Sequence, residues 1–254
     1  MSKLLEVSNV KVQFGGVIAV NDVSFSLNEG ELLGFIGPNG AGKTTMMRAI
    51  TGVVTPASGS IVLGGKELIG LPIHSRVRMG LGFSQQLVKP FRNMTVLENV
   101  ALTVGSHHTG SPLSALFKVG REDENKRARE LLALVGVSDA ADADPSNLPL
   151  GYLKRLEVAR ALALDPTLLL LDEPLAGLNH AEAHKLADMI VDLNAAGRSI
   201  ILIEHNLGEV MRICSRLVVQ DNGNKIADGD PDSVMNTPAV RAAYLGENTD
   251  HAAA

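Results

Sequence analysis

The stretch that most constrains this chain is Gly37-Pro38-Asn39-Gly40-Ala41-Gly42-Lys43-Thr44-Thr45. It satisfies G-x-x-x-x-G-K-[ST]. An apolar run, Leu32-Leu33-Gly34-Phe35-Ile36, precedes it, and a helix-like run, Met46-Met47-Arg48-Ala49-Ile50, follows. That strand–loop–helix setting is what a phosphate-binding loop requires. Gly40 and Gly42 let the backbone turn tightly, so that successive N–H groups of the loop can face phosphate oxygens. The N-terminus of the following helix adds partial positive charge at the same place. Lys43 is placed to reach the β- and γ-phosphates, Thr44 to ligate Mg²⁺ and Thr45 to touch the α-phosphate. The reading is a nucleoside-triphosphate site in an α/β fold.

A second stretch completes that chemistry. Leu168-Leu169-Leu170-Leu171-Asp172-Glu173 is a continuous apolar run ended by two acids, the pattern of a strand buried on both faces. Adjacent carboxylates at such a strand end are costly without a cation or polar partner. Ligands of α/β sheets sit at the carboxyl ends of strands, which puts Asp172 beside the magnesium and Glu173 near the γ-phosphate. Ser199-Ile200-Ile201-Leu202-Ile203-Glu204-His205 repeats the design. His205 could hydrogen-bond the γ-phosphate or the attacking water.

The rest of the chain builds a frame around these strands. Residues 5–14 and 23–27 alternate apolar and polar and are joined by turns, which predicts an antiparallel layer beside the nucleotide core. Phe14, at the end of the first run, either stacks on a base or is an ordinary exposed or core side chain. Pro72 suits the first turn of a helix running towards Gly80. Thr95-x-x-Glu98 predicts a capping box opening a helix from Val96 to Thr103. Residues 105–120, with His107-His108, predict a solvated loop, since adjacent histidines without further ligands are a poor metal signal. Residues 121–135 form an amphipathic helix with Gly136 as its C-cap. Residues 87–160 therefore read as a helical insertion between two α/β portions. Asp221-Asn222-Gly223-Asn224 signals a hairpin, and Pro231 and Pro238 open short C-terminal helices.

Composition excludes several alternatives. A net charge of −5 gives no basic field to attract nucleic acid. One cysteine, Cys214, forms no internal disulfide or multi-cysteine zinc site. No window of 18 uninterrupted apolar residues predicts a membrane span, and the first residues lack the apolar stretch of a secretory signal. Work at a membrane would require another chain as anchor.

In order, these motifs resemble the ATP-binding subunits of ABC transporters: the loop at 37–45, Gln85-Gln86, Leu148-Pro149-Leu150-Gly151-Tyr152 before Leu156-Glu157-Val158-Ala159-Arg160-Ala161, the Leu-Asp-Glu-Pro run, and Glu204-His205. More narrowly the chain resembles ATPases of branched-chain amino acid importers. The features are Phe14-Gly15-Gly16, Phe91-Arg92-Asn93-Met94-Thr95-Val96-Leu97-Glu98-Asn99, Ala176-Gly177-Leu178-Asn179 and Ala243-Tyr244-Leu245-Gly246-Glu247. The resemblance implies a P-loop ATPase with a RecA-like core and antiparallel layer over 1–86 and 161–230, a helical subdomain over 87–160 and C-terminal helices over 231–246. Residues 247–254 would form a flexible tail.

It also implies a head-to-tail dimer holding two ATP molecules, each between one subunit's phosphate loop and the other's signature, here 148–152. On that pattern Phe14 packs on adenine and Lys43 holds the phosphates. Thr44 and Gln86 attend Mg²⁺, with Asp172 acting through water, Glu173 is the general base, and His205 steadies the γ-phosphate. Asn179 occupies the D-loop position. The usual Leu-Ser-Gly-Gly-Gln signature is altered: Pro149 supplies neither hydroxyl nor N–H. The expected partner is therefore a related ATPase with a standard signature, alongside two membrane permease subunits that dock near Phe91 and an external solute-binding protein. The expected location is the cytoplasmic face of the inner membrane. The rivals are a soluble non-transport ABC ATPase and a lipopolysaccharide-export ATPase. A GTPase would need N-K-x-D, and Asn224-Lys225-Ile226-Ala227-Asp228 has one residue too many.

Overall fold

Strict alternation of side chains explains how one sheet buries whole runs of leucine and isoleucine. A computed structural model describes residues 2–84, 89–91, 93–109 and 122–250, with the side chains of 106–109 and 245–250 left aside. In it β3 (Leu32–Ile36), β7 (Leu168–Asp172) and β8 (Ser199–Ile203) are central strands of a six-stranded sheet. Leu33, Phe35, Leu168, Leu170, Ile201 and Ile203 face one core; Leu32, Ile36, Leu169, Leu171, Ile200 and Leu202 face another. Each fully buried side chain contributes about 1.5–3 kcal/mol. An unpaired polar residue at either parity would be costly, and apart from Ser199, which opens β8 and accepts from the Gly30 N–H at 2.8 Å, these strands carry none before their carboxyl ends.

The strand order is β10-β9-β3-β8-β7-β6, with β6 (Leu81–Phe83), β7, β8, β3 and β9 (Arg216–Asp221) parallel and β10 (Asn224–Gly229) antiparallel. Asn222 and Gly223, both at positive φ, make the two-residue turn between β9 and β10. A second, antiparallel sheet has the order β2-β1-β4-β5, built from β1 (Lys3–Phe14), β2 (Val17–Asn28), β4 (Ser58–Leu63) and β5 (Lys66–Glu67). The helix after the phosphate loop, α1 (Lys43–Thr51), lies between the sheets, with Met46, Met47, Ala49 and Ile50 buried. A shorter α2 (Ile73–Arg78) has Pro72 at its N-cap, one step ahead of the expected first turn.

On the far face, α3 (Val96–Thr109), α4 (Glu122–Leu134) and α5 (Leu150–Leu162) share a core of Val96, Val100, Val104, Leu131, Leu132 and Leu156. The Thr95–Glu98 capping box forms in both directions. The expected stop at Thr103 and the solvated loop at His107-His108 are corrected: helix continues to Thr109. Val104 is buried against α4, and Gly105 costs only about 1 kcal/mol, too little to end a packed helix. Residues 110–121 lie outside the described residues. α5 likewise runs past residue 160 to Leu162. α6 (His180–Ala195), α7 (Leu207–Ile213), α8 (Pro231–Met235) and α9 (Pro238–Asp250) complete the chain. α9 reaches Asp250, so its helix extends past the expected end at residue 246.

Candidate functional site: a phosphate cleft at the strand ends

The carboxyl ends of β3, β7 and β8 meet around a cleft of about 200 Å³ lined by Asn39, Gly40, Ala41, Gly42, Lys43, Thr44, Thr45, Glu173, His205 and Ala19 of β2. Of the residues expected there, the loop, Glu173 and His205 are thus brought together. The volume is below the 300–1,000 Å³ of whole small-molecule pockets. It suits a polyphosphate chain, and the β1–β2 surface adjoins it at Ala19. Phe14 lies there, half exposed, beside exposed Val17 and Ile18.

Two glycines set the loop's path. Gly42 has φ +101°, and a Cβ there would stand 2.1 Å from the Ala19 carbonyl oxygen and 2.5 Å from Gln220 Nε2. Gly40 has φ +76° but nothing within 4 Å, so the space over it is open to a ligand. Gln220, at the end of β9, is fully buried and donates from Nε2 to the Ala41 carbonyl at 2.8 Å. It props the loop from beneath, a role its place in a hairpin strand did not signal. Lys43 is buried and arches back, Nζ donating to the carbonyls of Gly37 at 2.6 Å and Pro38 at 2.8 Å. The loop is thereby held curved around the Lys43 ammonium.

Asp172 ends β7 with Oδ1 buried and without a hydrogen-bond partner among the described residues. Burial first, then the Glu173 carboxylate, push its carboxyl above the usual range, against the pull of Arg48, Lys154 and Lys43. An orphaned carboxylate oxygen raised in this way fits a cation site. Glu173 follows at φ +51°, a conformation L-residues seldom hold. Its N–H donates to the Ile203 carbonyl at 2.9 Å and its carbonyl accepts from Lys154 Nζ at 2.9 Å. Its Oε1 lies 2.5 Å from His205 Nε2. With Glu173 ionised, that nitrogen carries the hydrogen.

Glu204, almost fully buried, accepts from the N–H groups of Leu175 at 2.6 Å and His205 at 3.1 Å, tying the loop after β8 to the loop after β7. Burial leads in raising its carboxyl above the usual range, with Glu173 adding to the rise and the two N–H donors opposing it. Lys154 and Glu204 were not legible as site residues.

The remaining expected residues lie apart. Pro149 stands at the N-cap of α5 with no side-chain hydrogen bond, followed by exposed Leu150. The Tyr152 hydroxyl reaches Asp139 at 2.8 Å, and Leu148 is partly buried. Beside Gly151 the nearest neighbour is Glu182. Asn179 caps α6, its Oδ1 accepting from the Glu182 N–H at 3.0 Å. Gln86, with Leu87 and Val88, falls outside the described residues. Phe91 does not: it is exposed, with the Arg160 guanidinium 4.7 Å from its ring centroid. Asn99 clamps its backbone, accepting from the Phe91 N–H at 2.7 Å. A groove of about 220 Å³ beside it is lined by Phe83, Lys89, Thr103, Glu157, Arg160, Ala161 and Leu164. No helix among the described residues is long and apolar enough to cross a membrane.

Phosphate loop, paired acids and strand-end histidine on this sheet define an ATP-binding cassette. Residues 20–176 match the family described as ABC transporter, and the chain belongs to it. Its ATPase fold and activity class follow from that membership. Residues 224–250 match the family described as branched-chain amino acid ATP-binding cassette transporter. The chain is 40% identical over 252 residues to the high-affinity branched-chain amino acid transport ATP-binding protein LivG of Escherichia coli, covering 96% of this chain and 98% of that one. It is 38% identical to BraF of Pseudomonas aeruginosa, over 96% and 98%. It is 34% identical to the lipopolysaccharide export ATP-binding protein LptB of Acidithiobacillus ferridurans, over 97% and 98%. Among solved structures, the ADP conformation of an ABC-transporter cassette superposes with a TM-score of 0.86 at 31% identity, covering 97% of this chain and 100% of that one.

Proposed function

We propose that this chain powers an importer of branched-chain or other hydrophobic amino acids, working on the cytoplasmic face of the inner membrane with two permease subunits and an external solute-binding protein. The likeness to LivG and BraF, together with the match over residues 224–250, supports that solute class. The observation that carries the catalytic reading is the Glu173–His205 pair at the mouth of the phosphate loop. Glu173 takes a proton from water, whose oxygen forms a bond to the γ-phosphorus as the bond to the β–γ bridging oxygen breaks. ADP leaves, and His205 holds the γ-phosphate oxygens. Thr44 and Asp172 would hold Mg²⁺, with Gln86, and the ion would neutralise phosphate charge. Positioning and charge stabilisation are what phosphoryl transfer needs.

Pro149 and the exposed Leu150 put an apolar end where the signature would meet a partner's nucleotide. The proposed assembly is therefore a heterodimer with a related ATPase whose signature is standard, and Asn179 belongs to the same altered face. The export reading has a relative at lower identity in its favour, but the Ser-Gly-Gly signature expected of an export ATPase is absent here. Co-purification from membranes tests the proposal. Recovery of permeases, a second ATPase and a binding protein loaded with a hydrophobic amino acid supports it; recovery of export components overturns it.

A further inference from the structure

A buried cation reaches from the signature helix to the residue that the proposed mechanism uses as base. Lys154 lies one turn into α5, is almost fully buried, and donates from Nζ to the Glu173 carbonyl at 2.9 Å. Three buried carboxylates surround it electrostatically: Glu204, Glu173 and Asp172. A buried lysine costs several kcal/mol unless such anions offset it, so a purely structural helix position would be filled by an apolar residue. Glu173 in turn sits in the left-handed region, where only surrounding contacts keep an L-residue. Its N–H is fixed by β8, and its carbonyl accepts from the Ala176 N–H of the same turn at 3.3 Å and from Lys154, the contact that reaches it from α5.

We propose that Lys154 is a positioning residue. It locks the Glu173 backbone so that the carboxylate points into the phosphate cleft, and it links that aim to the placement of α5. One rigid helix carries Leu150 and Gly151 at its N-terminal end and Lys154 one turn later. Whatever engages the signature end therefore moves the anchor of this chain's own base. This inference rests on the reading of Glu173 as base.

The test is steady-state ATP hydrolysis by the full chain in its co-purified assembly, comparing Lys154→Met, Lys154→Gln, Lys154→Arg and Glu173→Gln. Lys154→Met lowers kcat about tenfold or more with KM for ATP within about twofold, because aim is lost and nucleotide contacts are not. Lys154→Arg, a cation that still donates to the carbonyl, stays within about threefold of the parent. Should Lys154→Met not fold, Lys154→Gln is read in its place, between the two. Equal kcat for Met and Arg variants, or a raised KM at unchanged kcat, overturns the proposal. If Glu173→Gln is inactive while Lys154→Met is not, only this inference fails. If Glu173→Gln hydrolyses ATP normally, the reading of the base fails as well.

Discussion

Glu173 holds a conformation that costs stability, and the cost can be separated from its chemistry. At φ +51° its Cβ crowds the following backbone, worth about 1–2 kcal/mol for an L-residue. Glu173→Ala removes the carboxylate but keeps the Cβ; Glu173→Gly removes both. Glycine's extra freedom in the unfolded chain returns about 0.5–1 kcal/mol. The Gly variant should therefore be the more stable of the pair, by up to about 1.5 kcal/mol. At about 2–4 °C per kcal/mol for a chain of this size, its melting temperature should be higher by up to about 6 °C. Thermal unfolding of both variants without nucleotide, followed by circular dichroism, reads the difference, and both should lack ATP turnover. A Gly variant that melts below the Ala variant refutes the claim that strain is stored at this position.

Three further outcomes follow from the site and its surroundings. Gly42→Ala drives a Cβ into the Ala19 carbonyl and Gln220, so nucleotide affinity should fall by about two orders of magnitude or more while the core melts cooperatively; equilibrium binding of labelled ATP checks it. Phe91→Asp should leave nucleotide binding intact and abolish ATP-coupled uptake in membrane vesicles, since Phe91 is exposed and does not line the cleft. Burial pushes the Cys214 thiol up from 9.0 to about 12. The unfolded chain then loses its thiol proton first, so this group leaves stability untouched below pH 9 and lowers it as pH rises from 9 towards 12. At pH 8 a disulfide reagent should modify Cys214 only after unfolding in urea.

The phosphate loop was legible because its glycines, lysine and threonines each answer a physical demand in sequence order. The acids ending β7 were legible for a similar reason: carboxylates after four buried leucines need a charged partner. Long-range supports were not. Gln220 is 179 residues from Ala41 along the chain and looks like any polar residue before a hairpin. Lys154 reads as one more charge on a helix until the fold turns it inward against Glu173. Glu204 was read only as the neighbour of His205, although its carboxylate joins two loops. Helix ends were misjudged where tertiary burial outweighed weak local signals, as at Val104 in α3.

The most direct measurement replaces Glu173 with glutamine in the assembled complex and follows labelled ATP through binding and hydrolysis. The variant should bind ATP with affinity close to the parent and hold it uncleaved, with turnover reduced about a thousandfold, because Gln keeps the shape but cannot accept the water proton. Undiminished release of phosphate, or failure of the parent chain to bind ATP at all, would contradict a cleft in which Glu173 activates water against a phosphate held by residues 37–45.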